Sequence, residues 1–488
     1  MSLSDDHQGW ESVIGLEVHV QIKTRSKLFS SAPNRFGEAP NTNIGVVDVA
    51  HPGTLPKVNR EAVDKAVRFG CAIQAKIPSV CKFDRKSYFY PDLPRNFQIT
   101  QLDQPIIVGG TIFADVGGTM KAFQVDRAHL EDDAGMLKHF PDFTGVDFNR
   151  AGVPLLEIVS QPCMSSAKEA TAYAMALKNM MEYLGVSNCN MEEGSLRVDV
   201  NVSVRRKGEK TLRNKVEIKN LNSFHWMEVG INAEIRRQIQ LYLAHSREDP
   251  KLIVPSVTVR LDIEKGETVV MRSKEEAKDY RFCPDPDLPL LIFSEEYLAQ
   301  KQRELPELPH QRFKRYREDL QLTPYHASLL VQNVRLSDYF ETALREYPNG
   351  RALCNWITVE FVGRVKERGG FLPDFGVRSE HIAQLVSLID QKKLTGKMAK
   401  SVADLMVETP GKGPLEILVE SPHFQALYDH ASVEPLVDEV INQNPQSVRD
   451  FKEGKEKSFH FLIGQVMKSS KGKAAPDVVH ELLRKKLS

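Results

Sequence analysis

Ile14-Gly-Leu-Glu-Val-His-Val-Gln-Ile22 alternates without a break: Ile14, Leu16, Val18, Val20 and Ile22 fall on one side, and Glu17, His19 and Gln21 on the other. Successive side chains of a strand point to opposite faces, so the stretch predicts a strand with one buried face and one polar face that carries two potential ligands. The same period places Leu196, Val198, Val200, Val202 and Val204 inward and Arg197, Asp199, Asn201, Ser203 and Arg205 on the opposite side. Shorter strands are predicted at Val216-Glu-Ile218 and at Val257-Thr-Val-Arg-Leu-Asp-Ile263, the latter followed by a Glu-Lys-Gly-Glu turn. Between them, Ser166-Ala-Lys-Glu169 is a capping box that opens a helix through Ala170, Met175 and Leu177 and stops at Gly185. A second helix is predicted from Phe224 to roughly His245. These elements predict an α+β fold, with residues 1–295 forming a large antiparallel-sheet domain. Helices would cover one face of its sheet and leave the other polar and open.

Beyond residue 295 the strand pattern gives way to charged, Leu-containing helical segments broken by Pro306, Pro309 and Pro324, and Ile382, Leu385, Val386 and Ile389 fall at helical spacing. This predicts a helical domain over 296–408. Thr409-Pro-Gly-Lys-Gly-Pro414 reads as a linker into a small all-α tail domain, 409–488, whose clearest helix puts Phe459, Leu462, Ile463, Val466 and Met467 on one stripe. Lys452, Lys455, Lys457, Lys468, Lys471, Lys473, Arg484, Lys485 and Lys486 crowd the tail. A local cationic surface suits a phosphate backbone. A solvated helical face offset by acids such as Glu453 and Glu456 is the alternative.

The 488 residues carry 65 Lys plus Arg against 65 Asp plus Glu, so no overall basicity advertises nucleic acid and any such surface must be local. The six cysteines are scattered without a C-x-x-C pair, which suggests neither a zinc knuckle nor a disulfide framework. Met1 to Trp10 is polar and acidic, and no run approaches the ~18 apolar residues of a membrane span. A cytoplasmic protein without membrane contact is expected.

Glu131, Asp132 and Asp133 sit side by side in Ala128-His-Leu-Glu-Asp-Asp-Ala-Gly135. Carboxylates packed this densely repel one another unless a divalent cation or basic groups neutralise them. With Glu17 and His19 they could bind Mg²⁺ and, through it, nucleotide phosphates; an acidic surface turn is the other reading. In Phe83-Asp-Arg-Lys-Ser-Tyr-Phe-Tyr-Pro-Asp-Leu-Pro94, Arg85 and Lys86 could hold a carboxylate or phosphate beside a wall of Tyr88 and Tyr90. A folded turn with an Asp84 contact to Arg85 or Lys86 competes with it. No G-x-x-x-x-G-K-[ST] loop, no G-x-G-x-x-G after a strand and no G-x-S-x-G elbow occurs, so a nucleotide needs another kind of cradle and hydrolytic chemistry is not visible.

Together with the opening strand, several strings resemble the B subunits of the tRNA-dependent amidotransferases. They are Phe83-Asp-Arg-Lys-Ser-Tyr-Phe-Tyr-Pro-Asp92, His129-Leu-Glu-Asp-Asp-Ala-Gly135, Asn149-Arg-Ala-Gly-Val-Pro-Leu-Leu-Glu-Ile-Val-Ser160, Met191-Glu-Glu-Gly-Ser-Leu-Arg197, Glu217-Ile-Lys-Asn-Leu-Asn-Ser-Phe224, Asp279-Tyr-Arg-Phe-Cys-Pro-Asp-Pro-Asp287 and Gly464-Gln-Val-Met-Lys468. The resemblance implies a cradle domain, a helical domain and a tail that grips the tRNA, here through Lys468, Lys471, Lys473, Arg484 and Lys485. It also implies an ATP-dependent reaction in which the side-chain carboxylate of Glu on tRNA(Gln), or of Asp on tRNA(Asn), is phosphorylated and then amidated. Ammonia would come from a separate amidase, the A subunit, with a small C subunit tying the two together. By this analogy Glu17, His19 and Glu131 are the leading Mg²⁺ ligands, Asp132 and Glu217 weaker ones, and Lys86 and Arg85 lie along the ammonia route or touch the acyl phosphate. Asp132 stands where the family motif has a second glutamate, and Cys283 where an aromatic residue is usual. Some relatives carry a zinc-binding cysteine cluster; none is formed here, so no structural zinc is expected.

Overall fold

The computed structural model describes residues 9–245, 247–273, 279–421, 430–470 and 473–487. The chain divides into two compact units, Met1–Arg312 and Phe313–Ser488.

The first unit is built on a nine-stranded sheet. Numbered along the chain, its strands are β1 (Trp10–Gln21), β2 (Ile107–Val108), β3 (Thr111–Val116), β4 (Thr119–Asp132), β5 (Pro154–Ser160), β6 (Leu196–Arg206), β7 (Val216–Lys219), β8 (Val257–Asp262) and β9 (Glu267–Ser273). They lie in the order β9-β8-β7-β6-β1-β5-β4-β2, with β3 also paired to β4. The opening strand is therefore central, and its alternation reads as expected: Ile14, Leu16, Val18, Val20 and Ile22 are buried. So are Leu196, Val198, Val200, Val202 and Val204 of β6. Three helices, α1 (Arg60–Ala72), α2 (Ala167–Tyr183) and α3 (Phe224–Ala244), share one hydrophobic core with the apolar side of the sheet.

The capping signals act as read, with one change of partner. Ser166 Oγ accepts from Glu169 N at the start of α2, while the Glu169 carboxylate reaches back one residue further, to Ser165 N. Gly185, at φ +64°, ends the helix in the left-handed region that glycine enters without steric penalty. The expectation of a purely antiparallel sheet needs one correction, because β7 and β8 run parallel. Parallel neighbours need a long crossover, and here α3 lies between them in the chain. The α+β class stands, with a mixed sheet.

The second unit is helical among its described residues. The stripe Ile382, Leu385 and Val386 is buried on the helix Ser379–Asp390, and Thr409–Gly413 joins two helices. Near the C-terminus, Phe459, Leu462 and Val466 of the helix Glu456–Ser469 pack with Val433, Val437, Leu482 and Leu483 into a separate small core. Among the described residues no helix is long and apolar enough to cross a membrane.

Candidate active site

The polar face of the sheet carries a cross-strand row. His19 of β1 lies opposite Glu157 of β5, and Glu157 lies opposite His129 of β4. Directly opposed residues on one face have Cβ atoms roughly 5 Å apart, so the register by itself brings two imidazoles and a carboxylate together. Glu131, two residues along β4, and Glu17, two residues along β1, complete the group. His19 Nε2 is 3.3 Å from Glu157 Oε2, 3.8 Å from Glu131 Oε1 and 3.9 Å from Glu17 Oε1. His129 Nε2 is 3.5 Å from the same Glu157 oxygen and 3.6 Å from Glu131 Oε2. Three of the expected residues, Glu17, His19 and Glu131, thus converge.

These separations are longer than good hydrogen bonds. They match a shared coordination shell: ligand atoms on bonds of about 2.1 Å stand roughly 3.0 Å apart when cis and 4.2 Å when trans. Both Glu17-His19-Glu157 and His129-Glu131-Glu157 have donor atoms close enough to hold one ion. Sequence reasoning does not single out His129 or Glu157. The signal for the latter is the lone acid in Pro154-Leu-Leu-Glu-Ile-Val-Ser160, since a charge in an apolar strand needs a partner.

The electrostatics of the group are strongly perturbed. Burial depresses the basicity of His129, but Glu131 and Glu157 outweigh it and raise the ring to about 9. Burial opposes the charge of His19 as well, and Glu157 and Glu131 again leave it above its ordinary value. Glu157, although burial pushes it up, is held far below the usual carboxylate range by the two imidazoles. Glu17 is raised by burial and by the Glu157 charge. His129 Nδ1 is buried with no partner among the described residues.

Glu17, His19, Glu131 and Glu157 line a cavity of about 400 Å³, whose walls add the bases Lys86, Arg150, Arg197 and Lys219 and the acids Asp133, Asp199 and Glu217. Asp133 Oδ2 accepts from Arg197 Nη2 at 2.7 Å and from Gln21 Nε2 at 3.1 Å. Arg150 donates to the carbonyls of Ala134 and Gly135, at 3.0 and 2.6 Å. Its own turn is clamped from beneath: the fully buried Lys27 donates to Ala151 O at 2.7 Å and lies 3.3 Å from Asp48. Gly152 is required there, since φ is +86° and a Cβ would meet Asp48 Oδ1 at 2.5 Å. Glu217 lies on the wall of the cavity, where it accepts from Thr258 Oγ1 at 3.0 Å and pairs with Lys219 at 3.2 Å; Lys219 also pairs with Asp199. Lys86 lines the cavity with its ammonium 5.1 Å from the Tyr280 ring centroid, and Tyr88 stands beside it, edge-on to Tyr280.

Two expected residues do not join, for one geometric reason. Asp132 follows Glu131 on β4 and projects from the other face, where it accepts from Ile99 N at 2.9 Å and pairs with Arg95. It is removed from the ligand set. Arg85 likewise precedes Lys86 on the short strand Asp84–Ser87 and points away from the cavity. It donates to Asp285 at 2.8 Å and Asp287 at 2.7 Å and stacks 4.3 Å from the Phe97 ring centroid. Asp84 pairs with Lys82 rather than with Arg85 or Lys86. Tyr90 is exposed and does not line the cavity.

In the tail, Lys468, Arg484 and Lys485 are exposed and Lys473 is partly so. Arg484 covers the Phe459 ring at 5.5 Å, and Lys486 is engaged by Glu434 and Asp438. Lys471 lies outside the described residues.

Comparison with known proteins covers nearly the whole chain. Residues 12–299 match the family model described as "GatB/GatE catalytic domain", and residues 338–487 match that described as "GatB domain". The aspartyl/glutamyl-tRNA(Asn/Gln) amidotransferase B subunit of Protochlamydia amoebophila is 55% identical over 99% of this chain and 98% of its own length. The proteins of the same description from Chlamydia pneumoniae and Chlamydia abortus are each 53% identical, covering 99% and 100% of this chain and the same shares of their own lengths. The catalytic-domain match contains every residue of the carboxylate-imidazole cavity, and this chain belongs to the family of aspartyl/glutamyl-tRNA amidotransferase B subunits.

Proposed function

We propose that this chain carries the ATP-dependent amidation centre of a tRNA-dependent amidotransferase, acting on Glu misacylated to tRNA(Gln), Asp misacylated to tRNA(Asn), or both. A side-chain carboxylate is a poor electrophile, because its leaving group would be an oxide. Attack of one carboxylate oxygen on the γ-phosphorus of ATP releases ADP and gives an acyl phosphate. Ammonia then attacks the acyl carbon, the carbon–oxygen bond to phosphate breaks, and the amide and inorganic phosphate leave. The observation that carries this reading is the convergence of Glu17, His19, Glu131 and Glu157 at 3.3–3.9 Å inside a cavity ringed by Arg150, Arg197, Lys219 and Lys86.

Glu17, His19, Glu131 and Glu157 would hold Mg²⁺, which when bound supplies charge neutralisation and alignment to the nucleotide phosphates. Arg150 and Arg197, both fixed on the Asp133 side of the cavity, would receive the charge that develops on the transferring phosphoryl group. Glu217, neutralised by Lys219, acts as a wall residue and a weaker ligand. Lys86, on the lip beside Tyr88 and Tyr280, would order the approach of ammonia to the acyl phosphate.

The ammonia source is a partner amidase, the A subunit, joined through a small C subunit. The tail supplies Lys468, Lys473, Arg484 and Lys485, with Lys471 between them in sequence, to the tRNA backbone. The test is amide formation with ammonium as donor in the assembled complex. Glu17→Gln and His19→Ala are expected to abolish it while glutamine hydrolysis by the partner continues. Normal amide formation in both variants would remove the cavity from the reaction. Presenting Glu-tRNA(Gln) and Asp-tRNA(Asn) separately in that assay identifies the substrate.

A further inference from the structure

Lys27 is fully buried and Asp48 nearly so, with their charged atoms 3.3 Å apart. A lysine is almost never taken wholly out of water unless it is paired. A buried pair is also a poor source of stability, because desolvating both ions offsets most of their attraction. The contacts of this pair point to another use. Lys27 Nζ donates to Ala151 O at 2.7 Å and reaches Phe148 O at 3.4 Å, so two carbonyls of the turn that carries Arg150 converge on one ammonium. Asp48 is itself held by Ser30 Oγ at 3.0 Å and Gly45 N at 2.8 Å.

The turn rests directly on the pair: a Cβ at Gly152 would come within 2.5 Å of Asp48 Oδ1 and 3.4 Å of Lys27 Cδ. Its other ties are to backbone, Gly152 N donating to Asp133 O and Leu28 N to Gly152 O, both at 2.9 Å. Arg150 stands between these fixed points. Its Nε and Nη2 are taken up by Ala134 O and Gly135 O, and among the described residues its Nη1 donates to no protein acceptor, which leaves that group for a ligand in the cavity. A long side chain delivers its end group accurately only when its own backbone is fixed, and a misplacement of about 1 Å can cost a reaction roughly a hundredfold.

We propose that Lys27, held by Asp48, is a positioning residue for phosphoryl transfer: it fixes the turn 148–152 so that Arg150 meets the transferring phosphoryl group without reorganisation. The inference rests on the phosphoryl-transfer reading and deepens it, since it gives a kinetic role to a pair buried beneath the cavity rather than lining it.

Lys27→Met alone leaves Asp48 buried and unpaired and is expected to unfold the region. The test therefore uses the neutral pair, Lys27→Met with Asp48→Asn, which removes both charges at nearly constant volume and keeps an acceptor for Ser30 and Gly45. In the assembled complex, with ammonium as donor, kcat and both KM values, for ATP and for the misacylated tRNA, are measured for wild type, the neutral pair, Arg150→Ala, and the neutral pair combined with Arg150→Ala. The neutral pair is expected to lower kcat roughly 10- to 100-fold, with each KM changed less than about threefold. Once Arg150 is already alanine, the neutral pair should lower kcat by less than about twofold further, because residues that act as a unit are not additive. A loss of folded protein would instead multiply kcat by the same factor in both backgrounds, so the difference between the two factors isolates positioning. Hydrogen exchange over residues 148–153 of the full chain reads the turn itself, and the neutral pair should exchange there about tenfold faster than wild type. A neutral pair that works at the wild-type rate, an equal fall in both backgrounds, or unchanged exchange in the turn overturns the proposal; a slow Arg150→Ala beside any of these leaves the reaction reading standing. If Glu17→Gln and Arg150→Ala both form amide at the wild-type rate, the phosphoryl-transfer reading fails and takes the positioning role with it.

Discussion

Replacing Glu157 by Gln in metal-free protein removes the carboxylate that touches both imidazoles, at 3.3 and 3.5 Å, without changing its shape. With Glu157 present, His129 titrates near about 9 instead of 6.5. Because the proton is bound more tightly in the folded chain than in the unfolded one, this contributes stability that is fully present below about pH 6.5 and is lost as pH rises through about 9. At 1.36 kcal/mol per pH unit the difference is on the order of 3 kcal/mol. Chemical unfolding of the first unit in EDTA, followed from pH 6 to 9.5, is expected to show a loss of roughly that size in wild type. In Glu157→Gln only Glu131 remains beside His129, so its basicity returns toward the ordinary value, the pH dependence flattens, and the protein is weakened most at the acid end of the range. A slope in Glu157→Gln equal to that of wild type would refute the electrostatic assignment, because the proton would then be held by something other than this carboxylate.

Glu131 and Asp132 are adjacent but are expected to behave as opposites. Glu131→Gln should weaken divalent-cation binding about 10- to 100-fold with little change in stability, whereas Asp132→Asn should leave metal affinity alone and lower stability by about 1–3 kcal/mol, because its contacts to Arg95 and Ile99 N are buried. Titration with Mn²⁺ beside thermal unfolding separates the two. Lys86→Ala should lower the rate of ammonium-dependent amide formation while leaving ATP binding within a few fold; Arg85→Ala, paired with Asp285 and Asp287 outside the cavity, should act mainly through stability, as paired kinetic and unfolding measurements would show. In the tail, Lys468→Glu and Lys485→Glu should weaken tRNA binding uniformly across tRNA sequences and reduce the slope of log affinity against log salt by roughly one for each lysine that meets a phosphate. Affinity that does not change with these substitutions at several salt concentrations would take the tail out of tRNA binding.

The parts of the fold that were legible are those fixed by local periodicity. Ile14 to Ile22 and Leu196 to Val204 declare a buried and an open face because strand side chains alternate, and Ser166 and Gly185 mark helix ends because backbone groups there need partners or a left-handed residue. The same alternation, applied to Glu131-Asp132-Asp133 and to Arg85-Lys86, already separates the residues that face the cavity from those that cannot. Reading each cluster as one patch lost that information. The meeting of His129 and Glu157 with His19 is of another kind. It depends on which strands are neighbours and in what register, set by pairings between segments far apart in the chain. The parallel pairing of β7 with β8 is illegible for the same reason, although the helix between them is plain in the sequence.

The proposed chemistry requires that one divalent cation be held by the opening strand together with β5 and β4, the next two strands on one side of it. Pulsed electron paramagnetic resonance of the full chain loaded with one equivalent of Mn²⁺ tests this most directly, through the coupling between the ion and an imidazole nitrogen. A nitrogen coupling that is present in wild type, disappears in His19→Ala and persists in Asp132→Asn is the predicted result. Mn²⁺ that shows no imidazole coupling, or keeps an unaltered one in His19→Ala, would contradict it.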